Sequence, residues 1–157
     1  MVSIHRADLN TAEDADAVYR LLREYAANLR CPPDAGPFPD RQVFITGLRA
    51  QPCATVWLAS IDGEACGVAV LFETWSTFAA RPVINVHDLA VAPAMQGQGI
   101  GGRLLDCVVE HATSRDAIKV TLEIAASNEA AERLYRRFGF NDPGGEATRF
   151  LEHRLDD

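Results

Sequence analysis

The stretch PAMQGQGIGGRLL, Pro93 to Leu105, holds the residues best suited to chemistry on a charged ligand. Gly97, Gly99, Gly101 and Gly102 fall within six positions, and an apolar helical pattern follows. Bare backbone running into a helix N-terminus presents unpaired N–H groups and the positive end of the helix dipole, which together bind an anion. Gly99 and Gly101 are expected to take positive φ and let the backbone approach phosphate oxygens closely. A Walker A loop is excluded, because no Lys-Ser/Thr pair follows the glycines. Gly97, Gly99 and Gly102 do spell G-x-G-x-x-G, and Glu123 lies about twenty residues on, near a dinucleotide fold's ribose acid. In that fold, however, the first glycine follows its strand almost directly. Here Ala92 to Gln96 intervene, and too little chain remains for a long βαβ series.

The elements that must hold this loop can be read from periodicity. Val2 to Ala7 alternates as a first strand. Asn10 or Thr11 then caps a helix whose Val18, Leu21, Leu22, Tyr25 and Leu29 recur at helical spacing. Four prolines between Cys31 and Asp40 break it, and a shorter helix is expected from about Asp40 to Leu48. Asp62-Gly63 marks a hairpin between two strands. PVINVHDLAV, Pro82 to Val91, is a further strand. After the glycines, Ile100, Leu104, Leu105, Val108 and Val109 are expected on one helix face. KVTLEI, Lys119 to Ile124, reads as a strand, and Ser127 or Asn128 caps a helix that Gly139 ends. ATRFLEHRL reads as a last strand. The order β-α-α-β-β-β-α-β-α-β predicts an α+β fold, a mixed and mostly antiparallel central sheet with helices on both faces.

Composition narrows the function classes. The 157 residues suit one domain, 1–157, and 48% are hydrophobic, enough for an ordinary core. The longest uncharged apolar run, Ala65 to Phe72, is too short to span a bilayer, and the first twenty residues are too polar for a signal peptide. A cytoplasmic protein without a membrane partner is therefore expected. Cys31, Cys53, Cys66 and Cys107 form no CxxC pair, so they read as reduced thiols and no metal site is expected. A formal net charge of -7 argues against nucleic acid and favours cationic small molecules.

Gln96-x-x-Gly99-x-Gly101 resembles the pyrophosphate loop of the GNAT superfamily of N-acetyltransferases, Q/R-x-x-G-x-G/A. HDLAVAPAMQGQGIGGRLL is similar to that superfamily's strand, loop and helix of motif A. LEIAASNEAAERLYRRFGF is similar to its motif B, with Asn128, Ala131, Leu134, Tyr135, Gly139 and Phe140 at family spacing. The close resemblance covers about sixty residues, and element order matches along the whole chain.

The resemblance implies an acetyl-CoA-dependent N-acetyltransferase that needs no metal. It implies that Leu89, Ala90 and Val91 offer strand backbone to the pantetheine and polarise the thioester carbonyl. Gln96, Gly97, Gln98, Gly99, Ile100, Gly101 and Gly102 would surround the pyrophosphate, with Asn128 and Ala131 as further cofactor contacts. Asn128 is also suited simply to capping its helix. At Tyr135 it implies the proton donor to the departing thiolate, since a phenol with its ordinary pKa of about 10 stays protonated at neutral pH. The plainer role for Tyr135 is a core aromatic beside Leu134 and Phe138. Glu123 is the first candidate for the base. LEIAASN resembles LEVRxSN of the branch that acetylates ribosomal-protein N-termini, although Ala125 replaces that branch's arginine. His87 and Asp88 are its rivals.

The implied acceptor is a small-molecule primary amine such as a polyamine, amino acid or related amine. N-terminal or lysine acetylation of a protein is the second implied activity, and a non-catalytic coenzyme-A-binding module the third. Homodimers are common in the superfamily, so a homodimer is a further expectation. Trp75, Phe78 and Arg81 suit an acceptor pocket or a dimer contact, and Cys31 to Asp40 suits a lid or a plain surface connection.

Overall fold

The computed structural model describes residues 1–29 and 37–144. Strand β1 (Val2–Arg6) leads into helix α1 (Ala12–Asn28) and helix α2 (Arg41–Arg49). Strands β2 (Ala54–Ile61), β3 (Glu64–Ser76) and β4 (Arg81–Val91) follow. A 3-10 turn (Pro93–Met95), α3 (Ile100–Ser114), β5 (Lys119–Leu122) and α4 (Glu129–Arg137) complete the described chain. The expected order holds through α4, and the expected last strand, 147–155, lies outside the described residues, as do residues 30–36 of the proline-rich loop.

The five strands lie in sequence order, antiparallel from β1 to β4, with β5 parallel to β4. Local chemistry sets several boundaries. The Thr11 hydroxyl accepts the Asp14 N–H and starts α1, and the Asp40 carboxylate accepts the Gln42 N–H and starts α2. Asp62 and Gly63 both have positive φ, 51° and 86°, the turn whose twist suits a two-residue hairpin.

Helices cover both faces. Val18, Leu21 and Leu22 of α1 meet Leu58, Val68 and Val70 on one side. On the other, Ile100, Leu104 and Val108 of α3 meet Ala69, Leu71, Ile84 and Val86. Each such Val, Leu or Ile side chain contributes about 1.5–3 kcal/mol when fully buried. Gly67 lets α3 sit close, since a Cβ there would lie 3.0 Å from Ile100 Cγ2.

Three expectations need correction. Val109 is 40% exposed, and Ala112 completes the buried stripe of α3 instead, because the 3.6-residue period turns position 109 outward. β5 stops at Leu122, where its pairing with β4 ends, so Glu123 and Ile124 lie beyond the strand. Positive φ falls on Gly97 (78°) and Gly99 (79°), whereas Gly101 is helical inside the first turn of α3.

Candidate active site

The site is built where β4 leaves β5. The two strands pair from Val83–Lys119 to Val86–Leu122 and no further. β4 runs on to Val91, held by β3 alone, so its outer edge from His87 to Val91 has no strand partner among the described residues. The register explains the divergence. Leu71 pairs with Val86 and Val70 with Asp88, which leaves His87 as an extra residue in β4. Such a bulge bends its strand and increases the local twist. It also inverts the alternation. Ile84 and Val86 pack toward α3, whereas Ala90 joins the core under α1.

His87 and Asp88 follow Val86 on one arm of the V, and Glu123 follows Leu122, the partner of Val86, on the other. His87 is exposed and meets Phe72 edge-on, with ring centroids 5.3 Å apart. Asp88 is half-buried opposite Val70. Burial pushes its carboxyl above the usual range, and nearby His87 partly opposes this. Glu123 is exposed and makes no hydrogen bond or ion pair with the described residues.

Leu89, Ala90 and Val91 form the open edge. A cleft of about 260 Å³ lies over their far end, between Ala90–Gln96 and Leu21, Glu24, Tyr25 and Asn28 of α1. The Gln96 amide donates to the Val91 carbonyl at 3.1 Å and ties the loop to the strand end. The Gln98 amide lies 3.8 Å from Met95 Sδ. Gly99 is the N-cap of α3 and has no side chain to cap it. Its carbonyl accepts the Arg103 N–H at 3.1 Å, the first bond of the helix. The N–H groups from Gly97 to Gly102 donate to no acceptor among the described residues. These unmet donors fit a pyrophosphate, and the open strand edge fits an extended pantetheine, so the arrangement suits coenzyme A.

Gly101 and Gly102 have a second task. A Cβ on Gly101 would lie 3.2 Å from Leu134 Cδ2, and one on Gly102 would lie 3.6 Å from the Phe138 ring. The two glycines let α4 dock on the start of α3, which brings Tyr135 to the site. The C-terminus of α4 fixes the ring further. Gly139, at φ 83°, bonds back to the Arg136 carbonyl and Phe140 to the Tyr135 carbonyl, a Schellman closure. The Tyr135 and Phe140 rings sit 5.8 Å apart across it. Burial, with a smaller push from the Tyr25 phenol, raises the Tyr135 pKa to about 12. At the other end the Asn128 side chain accepts the Ala131 N–H at 3.1 Å, so both residues serve the cap of α4.

The chain's residues 15–140 match the family model described as the Acetyltransferase (GNAT) family. The chain belongs to the GNAT family and is an acetyltransferase. It is 30% identical over 139 residues to an uncharacterised N-acetyltransferase of Archaeoglobus fulgidus, covering 85% of this chain and 89% of that one. It is 30% identical over 144 residues to an aminoalkylphosphonate N-acetyltransferase of Salmonella typhimurium, covering 90% and 88%. Its fold is similar to that of an aminoglycoside acetyltransferase from an uncultured soil metagenomic sample, with TM-score 0.79 at 21% identity over 99% and 97% of the two chains. GNAT acetyltransferases generally use acetyl-CoA as co-substrate.

Tyr25 of this GNAT site was legible only as a core residue of α1, because helical spacing does not distinguish core from cleft wall. Trp75, Phe78 and Arg81 lie at the opposite end of β3 and β4. From Pro82, the partner of Trp75, to the bulge is about 16 Å at strand rise. Trp75 and Phe78 are exposed, and Arg81 pairs with Asp116 at 2.6 Å. Among the described residues no group of three or more His, Cys, Asp or Glu could hold a metal, and no helix is long and apolar enough to cross a membrane.

Proposed function

We propose that this enzyme moves the acetyl group of acetyl-CoA to the primary amine of a small molecule. The observation that carries the reading is the parting of β4 from β5, whose open edge leads to the unmet N–H groups of Gly97 to Gly102. Acetyl-CoA, when bound, supplies an activated thioester. The β4 edge pairs with an extended chain as an added strand would, and its N–H groups polarise a carbonyl oxygen lying against them. Tyr135 holds a proton on Oη throughout the neutral range and donates it toward the departing sulfur. Glu123, exposed on the arm opposite the cofactor strand, takes the proton of the incoming amine directly or through water. Asp88, turned under α1, keeps a carboxyl close to the acceptor side.

A small acceptor is supported by the similarity to the aminoalkylphosphonate enzyme over 90% of this chain and by Ala125 where the ribosomal-protein branch has arginine. The net charge of -7 favours a cationic amine. The test is thiol release from acetyl-CoA across polyamines, amino acids, aminoalkylphosphonates, aminoglycosides and short peptides. Release with a small amine and none with peptides is expected. Release confined to peptides would overturn the assignment.

A further inference from the structure

The sheet extends beyond the helix that covers it. On the α3 face, Glu73, Ile84 and Val120 form one cross-strand row, and Arg115, just past the end of α3, meets Glu73 at 2.7 Å. Strand alternation puts the next row, Trp75, Pro82 and Ile118, on the same face, with no helix turn left to cover it. Trp75 is 61% exposed and Ile118 44%. Phe78, at the tip of the β3–β4 hairpin, is wholly exposed. The tip is nonetheless braced. The Ser76 hydroxyl accepts the Ala79 N–H at 3.2 Å, and Arg81 donates to both the carbonyl and the carboxylate of Asp116.

The same hairpin carries an open backbone edge. β2 accompanies β3 only as far as Phe72, with one further bond from the Glu73 N–H to the Cys53 carbonyl at 2.9 Å. Backbone groups alternate in direction along an antiparallel strand, so those of Trp75 point as those of Glu73 do, away from β4. Pro82, opposite Trp75, agrees with this. It has no N–H to give, and its carbonyl accepts the Ile118 N–H on its other side at 2.8 Å. No described strand lies along the outer side of Trp75. Strand edges are usually protected from pairing by charge, proline or a bulge. Thr74 to Ala80 holds neither charge nor proline.

Charge selects the kind of partner. Glu73 and Arg81, which flank the tip, are neutralised within the chain by Arg115 and Asp116, and alternation puts Lys119 on the opposite face of the sheet. A chain of net charge -7 repels its own copies over most of its surface, but not at a tip that adds no net charge. We propose that this hairpin is a homodimer surface, in which Trp75 of one copy pairs with Trp75 of a second across a two-fold axis. A residue facing itself satisfies the open N–H and C=O of both copies and joins their two apolar rows end to end. Phe78, carried past the axis, closes on the other copy. Trp75, Phe78 and Ile118 supply roughly 400 Å² per copy, about half of what a standard interface buries on each side, so a dimer with Kd in the micromolar range is expected. The surface lies at the far end of β3 and β4 from the bulge, so it does not rest on the acetyl-transfer reading.

The test is sedimentation equilibrium of the full chain without ligand across the micromolar range, with amide shifts followed over the same concentrations. A monomer–dimer equilibrium is expected, with concentration-dependent shifts at Thr74 to Phe78 and at Ile118. Phe78→Asp should stay monomeric throughout, and Phe78→Tyr, which keeps the ring, should still dimerise. Because Phe78 is wholly exposed in its own chain, both variants should keep the wild-type Tm and acetyl-CoA affinity. A wild-type chain that remains monomeric, a dimer that Phe78→Asp leaves intact, assemblies that grow past the dimer, or shifts confined to other surfaces would each overturn the proposal.

Discussion

Replacing Gly99 by alanine should do what replacing Gly101 by alanine does not. Gly99 sits at φ 79°, and a Cβ there would find nothing within 4 Å, so the substitution meets no steric wall. Its penalty is backbone strain alone, roughly 1–2 kcal/mol for an L-residue held in the left-handed region. The strain has two outlets. If the loop keeps its shape in the free protein, stability falls by that amount, which for a chain of this size lowers Tm by roughly 2–8 °C. If the loop relaxes, the first bond of α3 from Arg103 to Gly99 opens, and binding must restore it. Acetyl-CoA affinity then falls by about 5- to 30-fold. Melting and calorimetric titration together should recover the same total. Gly101 is helical, so alanine there gains up to about 1 kcal/mol of helix propensity and loses part of it to the 3.2 Å approach to Leu134 Cδ2. Both readouts should stay near wild type. If Gly101→Ala loses as much acetyl-CoA affinity as Gly99→Ala, then position 101 needs bare backbone for the phosphate, and its assignment to helix docking is wrong.

Tyr135→Phe keeps the ring against Phe140 and deletes one hydroxyl, so kcat should drop by about 10²- to 10⁴-fold with acetyl-CoA affinity unchanged. With its pKa near 12, Tyr135 should cause no alkaline loss of kcat below about pH 10, which a wild-type pH profile checks. Glu123→Gln should move activity to higher pH, where free amine is available without a base; an unchanged profile, with Asp88→Asn shifting it instead, would transfer the base to Asp88. Asp88→Asn should also stabilise the fold at pH 7. A carboxyl whose folded pKa lies above 3.8 contributes most below that value and loses its contribution as pH rises through the folded pKa, so the Tm gain should shrink in melts toward pH 4. Glu73→Gln should cost at most about 1 kcal/mol in denaturant melts, less in high salt, because its partner Arg115 is half exposed and solvent screens the bond. That loss should fade in acid, since Glu73 titrates below its ordinary value.

Features that depend on near neighbours in the chain were readable from the sequence. The Thr11 and Asn128 caps, the Asp62-Gly63 turn and the Gly139 stop each follow from one side chain or one φ value, and each appears where the residue types predict it. Gly101 was not readable in this way. Its neighbours Gly97 and Gly99 take the positive φ that a glycine run suggests, but its own lack of a side chain serves Leu134, thirty-three positions away. A local pattern cannot tell an unstrained helical glycine from a strained loop glycine when both purposes select the same residue. Val109 shows the limit of periodicity in a smaller way, since one position of rotation separates the stripe that Ala112 completes from the exposed flank.

The apex shows why the chemistry resisted the same approach. A period-two reading of INVHDLAV carries Ile84, Val86, Asp88 and Ala90 along one face, which would bury the Asp88 carboxylate among the α3 contacts. Nothing in those eight residues signals the interruption. The bulge exists because β3 presents Leu71 and Val70 to Val86 and Asp88, a fact of pairing between strands. The same extra residue bends β4 just past its last pair with β5. One irregularity thus turns Asp88 toward α1, frees the edge that follows and sets Glu123 across the gap. Deleting His87 should therefore do more than remove a polar side chain. It would restore continuous pairing, with Asp88 following Val86 directly and still on the α1 face, and let β4 follow β5 beyond Val86. Acetyl-CoA binding should then be lost even though every loop glycine is intact. Calorimetric titration of the deletion variant, with a far-ultraviolet spectrum to verify the fold, checks this. Retained affinity in a folded variant would mean that the strands part for a reason other than the bulge.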